Sequence, residues 1–175
     1  MVRSRPLPQI IYHDESSKNV LRGIEKVVNM KRILIADDFQ SGRKVLREML
    51  ELQGYACQEV ENGSEALKAI ETERFDLVIT DNQMPVMSGL QLLQCLAERT
   101  EEQRPPAIFL TGRLSDQLSK AAQAAGASTV MQKPYKDNEL ISEITRILEP
   151  DRVAISYPSG LISTAAVNKQ EDMRA

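Results

Sequence analysis

Cysteine and histidine are scarce in this chain, with two of the first and one of the second among 175 residues. Cys57 and Cys95 lack the C-x-x-C spacing of zinc or redox sites and fall within apolar stretches, so they read as reduced core thiols. His13, alone in the amino-terminal flank, leaves nothing that suits a zinc centre. Long apolar runs are also missing. No window approaches the roughly 18 consecutive apolar residues that mark a membrane helix. Residues 1–11 hold arginines and two prolines but no apolar signal core. These shortages point to a cytoplasmic protein with neither membrane span nor secretory signal. One sign of charge does not dominate either: 22 basic against 25 acidic residues leave a net charge of −3. That balance supplies no basic field for nucleic acid and no acidic, solvating tail. Direct nucleic-acid binding is disfavoured, and there is no glycine-rich Walker loop of the kind that cradles a nucleotide.

The length suits one well-cored domain with flanks. Over residues 31–149, short runs rich in Val, Ile and Leu alternate with segments of helical periodicity, the pattern of an α/β domain with a parallel sheet. Five strand–helix units fit. Strands are expected at Arg32–Ala36, 55–60, a run ending at Asp81, a run ending at Thr111, and 128–132. Helices follow each: one carrying Val45, Leu46, Met49, Leu50 and Leu52 and ended by Gly54, one opening at Asn62-Gly63, one with Leu90, Leu92, Leu93 and Leu96, one over 118–125 ended by Gly126, and a last one capped by Asp137 and stopped by Pro150. Residues 1–30 read as an amino-terminal extension. Within it Val20, Leu21, Ile24, Val27 and Val28 recur at 3–4 spacing beside Lys18, Arg22 and Lys26, a short basic amphipathic segment that is either a partly ordered tail or a docking helix. Residues 150–175 read as a carboxyl-terminal tail without sustained periodicity.

Each of four strands ends in a polar group. Ile33-Leu34-Ile35-Ala36 runs into Asp37-Asp38, Val78-Ile79-Thr80 into Asp81, Ile108-Phe109-Leu110 into Thr111, and Val130-Met131-Gln132 into Lys133. In an open parallel sheet the carboxyl ends line one crevice, where ligands of such folds bind. Carboxylates gathered there repel one another unless a cation offsets them, and a hard, oxygen-preferring ion such as Mg2+ needs only two carboxylates, a backbone carbonyl and waters. A cation, an ammonium and a hydroxyl around one carboxylate form a phosphoryl-transfer arrangement in which the carboxylate is the acceptor. Helix capping is the plain alternative for Asp37 and Asp38, but capping accounts for none of the other three.

In their order and spacing, Asp37-Asp38, Asp81 followed by Met84-Pro85 and Gly89, Thr111-Gly112, and Lys133-Pro134-Tyr135 closely resemble the receiver domain of two-component response regulators, over residues 31–149. The resemblance implies a flavodoxin-like, doubly wound five-stranded parallel sheet of order 2-1-3-4-5, and a single-domain regulator of chemotaxis type. It implies that Asp81 accepts a phosphoryl group from a histidine kinase or histidine phosphotransfer protein. Asp38, Asp81 and the Gln83 carbonyl would hold Mg2+ directly, Asp37 largely through water, and Thr111 and Lys133 would contact the phosphoryl oxygens. Output would pass to a downstream protein through helix 4, strand 5 and helix 5, the face through which a homodimer is also expected. Chemistry would be confined to self-phosphorylation and autodephosphorylation at Asp81, with no external substrate.

Two readings compete with that one. A scaffold with a vestigial site would bind through the amphipathic flank, but the intact aspartate and lysine set argues against it. A small-molecule phosphatase with an aspartate nucleophile wants a second aspartate two residues on, where Gln83 stands. Within the resemblance, Gln83 and Arg113 flank the path of hydrolytic water; Arg113 reads equally as a screen of the phosphoryl group or as a solvated arginine. The chain departs from the family at Val130, where receivers often carry Phe or Tyr, so the expected output route is the loop after strand 4 and helix 4 rather than an aromatic rotamer.

Overall fold

A computed structural model describes residues 30–149. The amphipathic amino-terminal segment and the carboxyl-terminal tail lie outside the described residues. The strands are β1 (Arg32–Ala36), β2 (Ala56–Val60), β3 (Leu77–Asp81), β4 (Ala107–Thr111) and β5 (Thr129–Gln132). Between and after them come α1 (Gln40–Leu52), α2 (Gly63–Thr72), α3 (Gly89–Ala97), α4 (Asp116–Ala124) and α5 (Asp137–Leu148), with a short 3-10 turn at Glu101–Gln103. All pairings are parallel, in the order β2-β1-β3-β4-β5. This is the flavodoxin-like topology expected from the alternation of strand and helix patterns.

The apolar runs in the central strands are continuous because both faces of the sheet are covered. Successive side chains point to opposite faces, so each strand feeds two cores. Ile33, Ile35, Leu77, Ile79, Ile108 and Leu110 pack with Leu46 and Leu50 of α1 and Leu140 and Ile144 of α5. Leu34, Ala36, Val78, Ala107 and Phe109 pack on the other face, with Ala66 and Ala69 of α2, Leu92, Leu93 and Leu96 of α3, and Ala122 of α4. β1, β3 and β4 are thereby almost wholly buried, while β2 and β5 form the edges.

Local signals set most helix ends. Asn62 and Ser88 accept from the backbone N–H groups of Glu65 and Gln91, and Ser88 and Gln91 complete a reciprocal capping box. Gly54 and Gly126 follow α1 and α4 with φ of +89° and +91°, the left-handed conformation that glycine adopts without a side-chain penalty. At α5 the structure corrects the sequence reading: the N-cap is Lys136, and Asp137 is the first helical residue. There its carboxylate lies in the first turn, favoured by the helix dipole without a side-chain cap. Neither Asp37 nor Asp38 occupies the N-cap of α1, which is Phe39 and makes no side-chain cap bond.

At the opposite end of the sheet from those carboxyl termini, Asp76 ties β3 to β1. Its carboxylate accepts from Lys31 Nζ and from the Arg32 amide, each at 2.8 Å. Burial works to raise the Asp76 pKa, but the bonds from Lys31 and Arg32 outweigh it and leave the group below its ordinary value. A carboxyl with a depressed folded pKa contributes stability that is present above its unfolded pKa and lost as pH falls through the folded one. Asp76→Ala is therefore expected to cost about 1–2 kcal/mol at neutral pH, with the gap from the parent shrinking below about pH 4. Urea denaturation across that pH range checks this, and a pH-independent difference would contradict it.

Candidate functional site

Strand register explains which polar ends meet. Asp81 extends the series Leu77, Ile79; Asp37 extends Ile33, Ile35; and Lys133 follows Met131. All three preceding sets pack on the α1/α5 side. Thr111 belongs instead to the series Ala107, Phe109, which packs on the opposite face. A period of two along each strand thus sorts the groups by face.

The sorted groups form a compact ion cluster. Lys133 Nζ lies 2.6 Å from Asp37 Oδ2 and 2.7 Å from Asp81 Oδ1. Each carboxylate spends its second oxygen on a main-chain N–H two residues on: Asp37 Oδ1 accepts from Phe39 at 2.8 Å, and Asp81 Oδ2 accepts from Gln83 at 2.6 Å. These Asx-type bonds fix the two side chains against their own loops. Asp37 and Asp81 are both 7% exposed. Burial acts to lower the Lys133 pKa, yet the hydrogen bonds it donates to Asp37 and Asp81 prevail and raise it above the ordinary lysine value. The ammonium therefore stays charged throughout the neutral range. The ammonium thus lies between the two carboxylates and offsets their mutual repulsion.

The remaining predicted residues surround this cluster without entering it. Asp38 is exposed, and among the described residues it makes no hydrogen bond or ion pair. Thr111 is 1% exposed, and its hydroxyl both accepts from the Arg113 N–H and donates to the Arg113 carbonyl at 3.2 Å, closing the loop after β4 on itself. Its carbonyl accepts from the Lys133 N–H at 2.8 Å, which ties the threonine and lysine loops together. Gln83 and Arg113 have exposed side chains. An added Cβ at Gly112 would meet no atom within 4 Å, so the mouth is open there. Tyr135 packs on the α1/α5 core, where burial raises its phenol pKa.

Two features of the site were not visible in the sequence pattern. The first is why Gly89 is glycine: a Cβ there would overlap the Asp81 carbonyl oxygen and come within 2.9 Å of Thr80 Oγ1. The start of α3 thus presses directly on the backbone of Asp81. In the same loop Val86 has φ of +66°, a strained value for a β-branched residue. The second is Arg43, a charged residue of α1 that is 4% exposed, with its guanidinium on the Asp37 carbonyl.

The donor set fits a hard divalent cation. Counting Asp37, Asp38, Asp81 and Lys133 as ionised leaves a net charge of −2 at the strand ends, and every available donor is oxygen. Among the described residues no three His, Cys, Asp or Glu side chains gather as a ready-made metal cage. The protein could supply only a few ligands, the rest being water, as Mg2+ prefers.

Comparison with known proteins settles the family. The model of the response regulator receiver domain matches residues 33–145. The chain belongs to the response regulator receiver family. Among its receiver relatives is the response regulator receiver protein CpdR of Brucella abortus, 35% identical over 121 residues, which span 68% of this chain and 98% of that protein. The chemotaxis protein CheY of Pseudomonas aeruginosa is 32% identical over 120 residues, covering 67% of this chain and 96% of its own. The sensor kinase/phosphatase CqsS of Vibrio cholerae is 30% identical, but the match takes up 21% of that longer protein. Of solved structures, the CheY-like receiver domain protein of Methanospirillum hungatei superposes with a TM-score of 0.66 at 30% identity, covering 70% of this chain and 96% of that one. Among the described residues of this receiver, no helix is long and apolar enough to cross a membrane.

Gly89→Ala is expected to destabilise the receiver by about 2–3 kcal/mol, because rigid backbone rather than a flexible side chain meets the new methyl. Chemical denaturation measures the loss, and a variant as stable as the parent would show that α3 can draw back freely from Asp81.

Proposed function

We propose that this receiver is a phosphorylation-controlled switch of a two-component phosphorelay in which Asp81 accepts a phosphoryl group from a phosphohistidine. The observation that carries the reading is the Lys133 ammonium within hydrogen-bond distance of both Asp81 and Asp37. In the proposed step an Asp81 carboxylate oxygen forms a bond to phosphorus while the nitrogen–phosphorus bond of the donor breaks. The electron pair stays on the imidazole nitrogen, which takes up a proton. Lys133 shifts from holding the carboxylate to offsetting charge on the phosphoryl oxygens, and Thr111 turns from the Arg113 backbone to donate to one of them. Asp38, Asp81 and the Gln83 carbonyl would hold Mg2+ directly and Asp37 through water. When bound, the ion supplies charge stabilisation at the transferring group. Hydrolysis at Asp81 resets the switch, with Gln83 and Arg113 beside the water's path.

Output is proposed to leave through protein contacts. To donate to a phosphoryl oxygen Thr111 gives up the bond its hydroxyl donates to the Arg113 carbonyl, which loosens the loop before α4. Val130 packs in the α2/α3/α4-side core, and its branched side chain has no aromatic ring to swing inward. The signal therefore runs through the loop after β4 and α4 to the face formed by α4, β5 and α5, where a downstream protein or a second copy would dock. Residues 31–149 are the proposed switching unit, acting in the cytoplasm.

Incubation with Mg2+ and acetyl phosphate or a phosphoramidate, followed by intact-mass measurement, tests the chemistry. One phosphoryl adduct is expected, absent in Asp81→Asn and when Mg2+ is chelated. No adduct on the parent, or one that survives Asp81→Asn, would overturn the reading.

A further inference from the structure

Arg43 is the most buried charged side chain among the described residues, and the phosphoryl-transfer scheme does not use it. It lies in the first turn of α1, three and seven residues before the buried Leu46 and Leu50, so the helix turns it toward the same covered face. From there the guanidinium reaches under the loop that carries the acidic pair. One nitrogen donates to the main-chain carbonyl of Asp37 at 2.5 Å and the other to Glu61 Oε1 at 2.9 Å. Nε lies 3.6 Å from Glu59 Oε2 and has no hydrogen bond. A buried guanidinium with an unsatisfied donor costs free energy, so stability alone is a poor reason for an arginine here.

The placement supplies a better reason. Asp37 N–H donates to the Val60 carbonyl at 3.2 Å, and Arg43 N–H to the Phe39 carbonyl at 3.0 Å. The bond from Asp37 N–H to Val60 fixes the peptide before Asp37, and the guanidinium holds the peptide joining Asp37 to Asp38 at its carbonyl oxygen. That peptide plane sets the direction in which the exposed Asp38 side chain leaves the backbone, and it backs the Asp37 carboxylate that receives Lys133. Arg43 is rigid because Glu61, just beyond β2, and Glu59, on β2, grip its far edge. Lysine cannot reproduce this, since a single ammonium lacks the planar fork that spans a carbonyl and a carboxylate.

We infer that Arg43 is a positioning residue for the acidic pair, anchored by Glu61, and that it sets the affinity of the strand-end carboxylates for a divalent cation. The inference rests on the proposed Mg2+ site for its affinity component, and on the Asp37 loop geometry for the rest.

The test uses the full chain with Arg43→Met, Arg43→Lys and Glu61→Gln. Two quantities are read: the dissociation constant for Mg2+ by calorimetry, and hydrogen exchange of the Phe39 amide, which bonds to Asp37 Oδ1, against core amides of β3 and β4. Arg43→Met is expected to weaken Mg2+ binding about tenfold and speed Phe39 exchange at least tenfold while core amides keep their protection. Arg43→Lys should fall between it and the parent, and Glu61→Gln should give a smaller change of the same sign. If Arg43→Met does not fold, Glu61→Gln and Arg43→Lys decide by the same readouts. Unchanged Mg2+ affinity and Phe39 exchange in folded variants would overturn the inference, as would exchange that rises equally throughout the sheet, which marks a purely structural role. A parent that binds no Mg2+ would remove the cation site and its affinity component, leaving Phe39 exchange to decide the positioning claim by itself.

Discussion

One ammonium between two carboxylates is the interaction on which the site depends. Asp37 and Asp81 leave adjacent strands, and Lys133 arrives from the loop after the edge strand β5. None of the three is placed by its neighbours in sequence alone. Burial disfavours each charge separately, and together they offset one another. The arrangement remains deficient in positive charge, since Asp38 adds a third carboxylate at the same edge. In the proposed function that residual charge is what would make the site receptive to a divalent cation and then to a phosphoryl group.

The sheet supplies the accuracy this cluster needs. β1, β3 and β4 are packed on both faces, so their carboxyl ends cannot slide without moving two cores at once. Single turns then aim the side chains: the amides of Phe39 and Gln83 take one oxygen from each carboxylate, and α3 is drawn so close that only glycine fits at position 89. Rigid strands with short, tightly bonded loops give a pre-set site. The loop after β4 differs. Thr111 bonds to its own turn, and α4 beyond it contributes only Ala122 as a buried residue. A segment held by few apolar contacts is the one that can move at low cost.

Much of this was legible in the sequence because strand-end polarity and strand period are both sequence properties. The apolar runs before Asp37, Asp81, Thr111 and Lys133 located the crevice, but the separation of Thr111 from the other three follows only from how the strands pack against the helices. The spacing of Arg43 from Leu46 and Leu50 marks it for the covered face of α1, whereas its charge argues for solvent. Burial wins because Glu59 of β2 and Glu61 beyond it supply its partners. The tight fit at Gly89 is likewise a tertiary fact, since the motif shows that a glycine is there but not what it touches. At α5 the pattern put Asp137 at the cap, whereas backbone geometry makes Lys136 the cap and Asp137 a first-turn residue, a place the helix dipole also favours for a carboxylate.

The most direct test of this account is the titration of the Lys133 side chain by NMR in metal-free protein. Two bonded carboxylates outweigh burial at Lys133, so its ammonium should titrate above the ordinary lysine value of about 10.4, and removing the Asp37 charge with Asp37→Asn should bring it down. A Lys133 that titrates at or below the ordinary value, or one indifferent to Asp37→Asn, would mean that the ammonium does not bridge the two carboxylates.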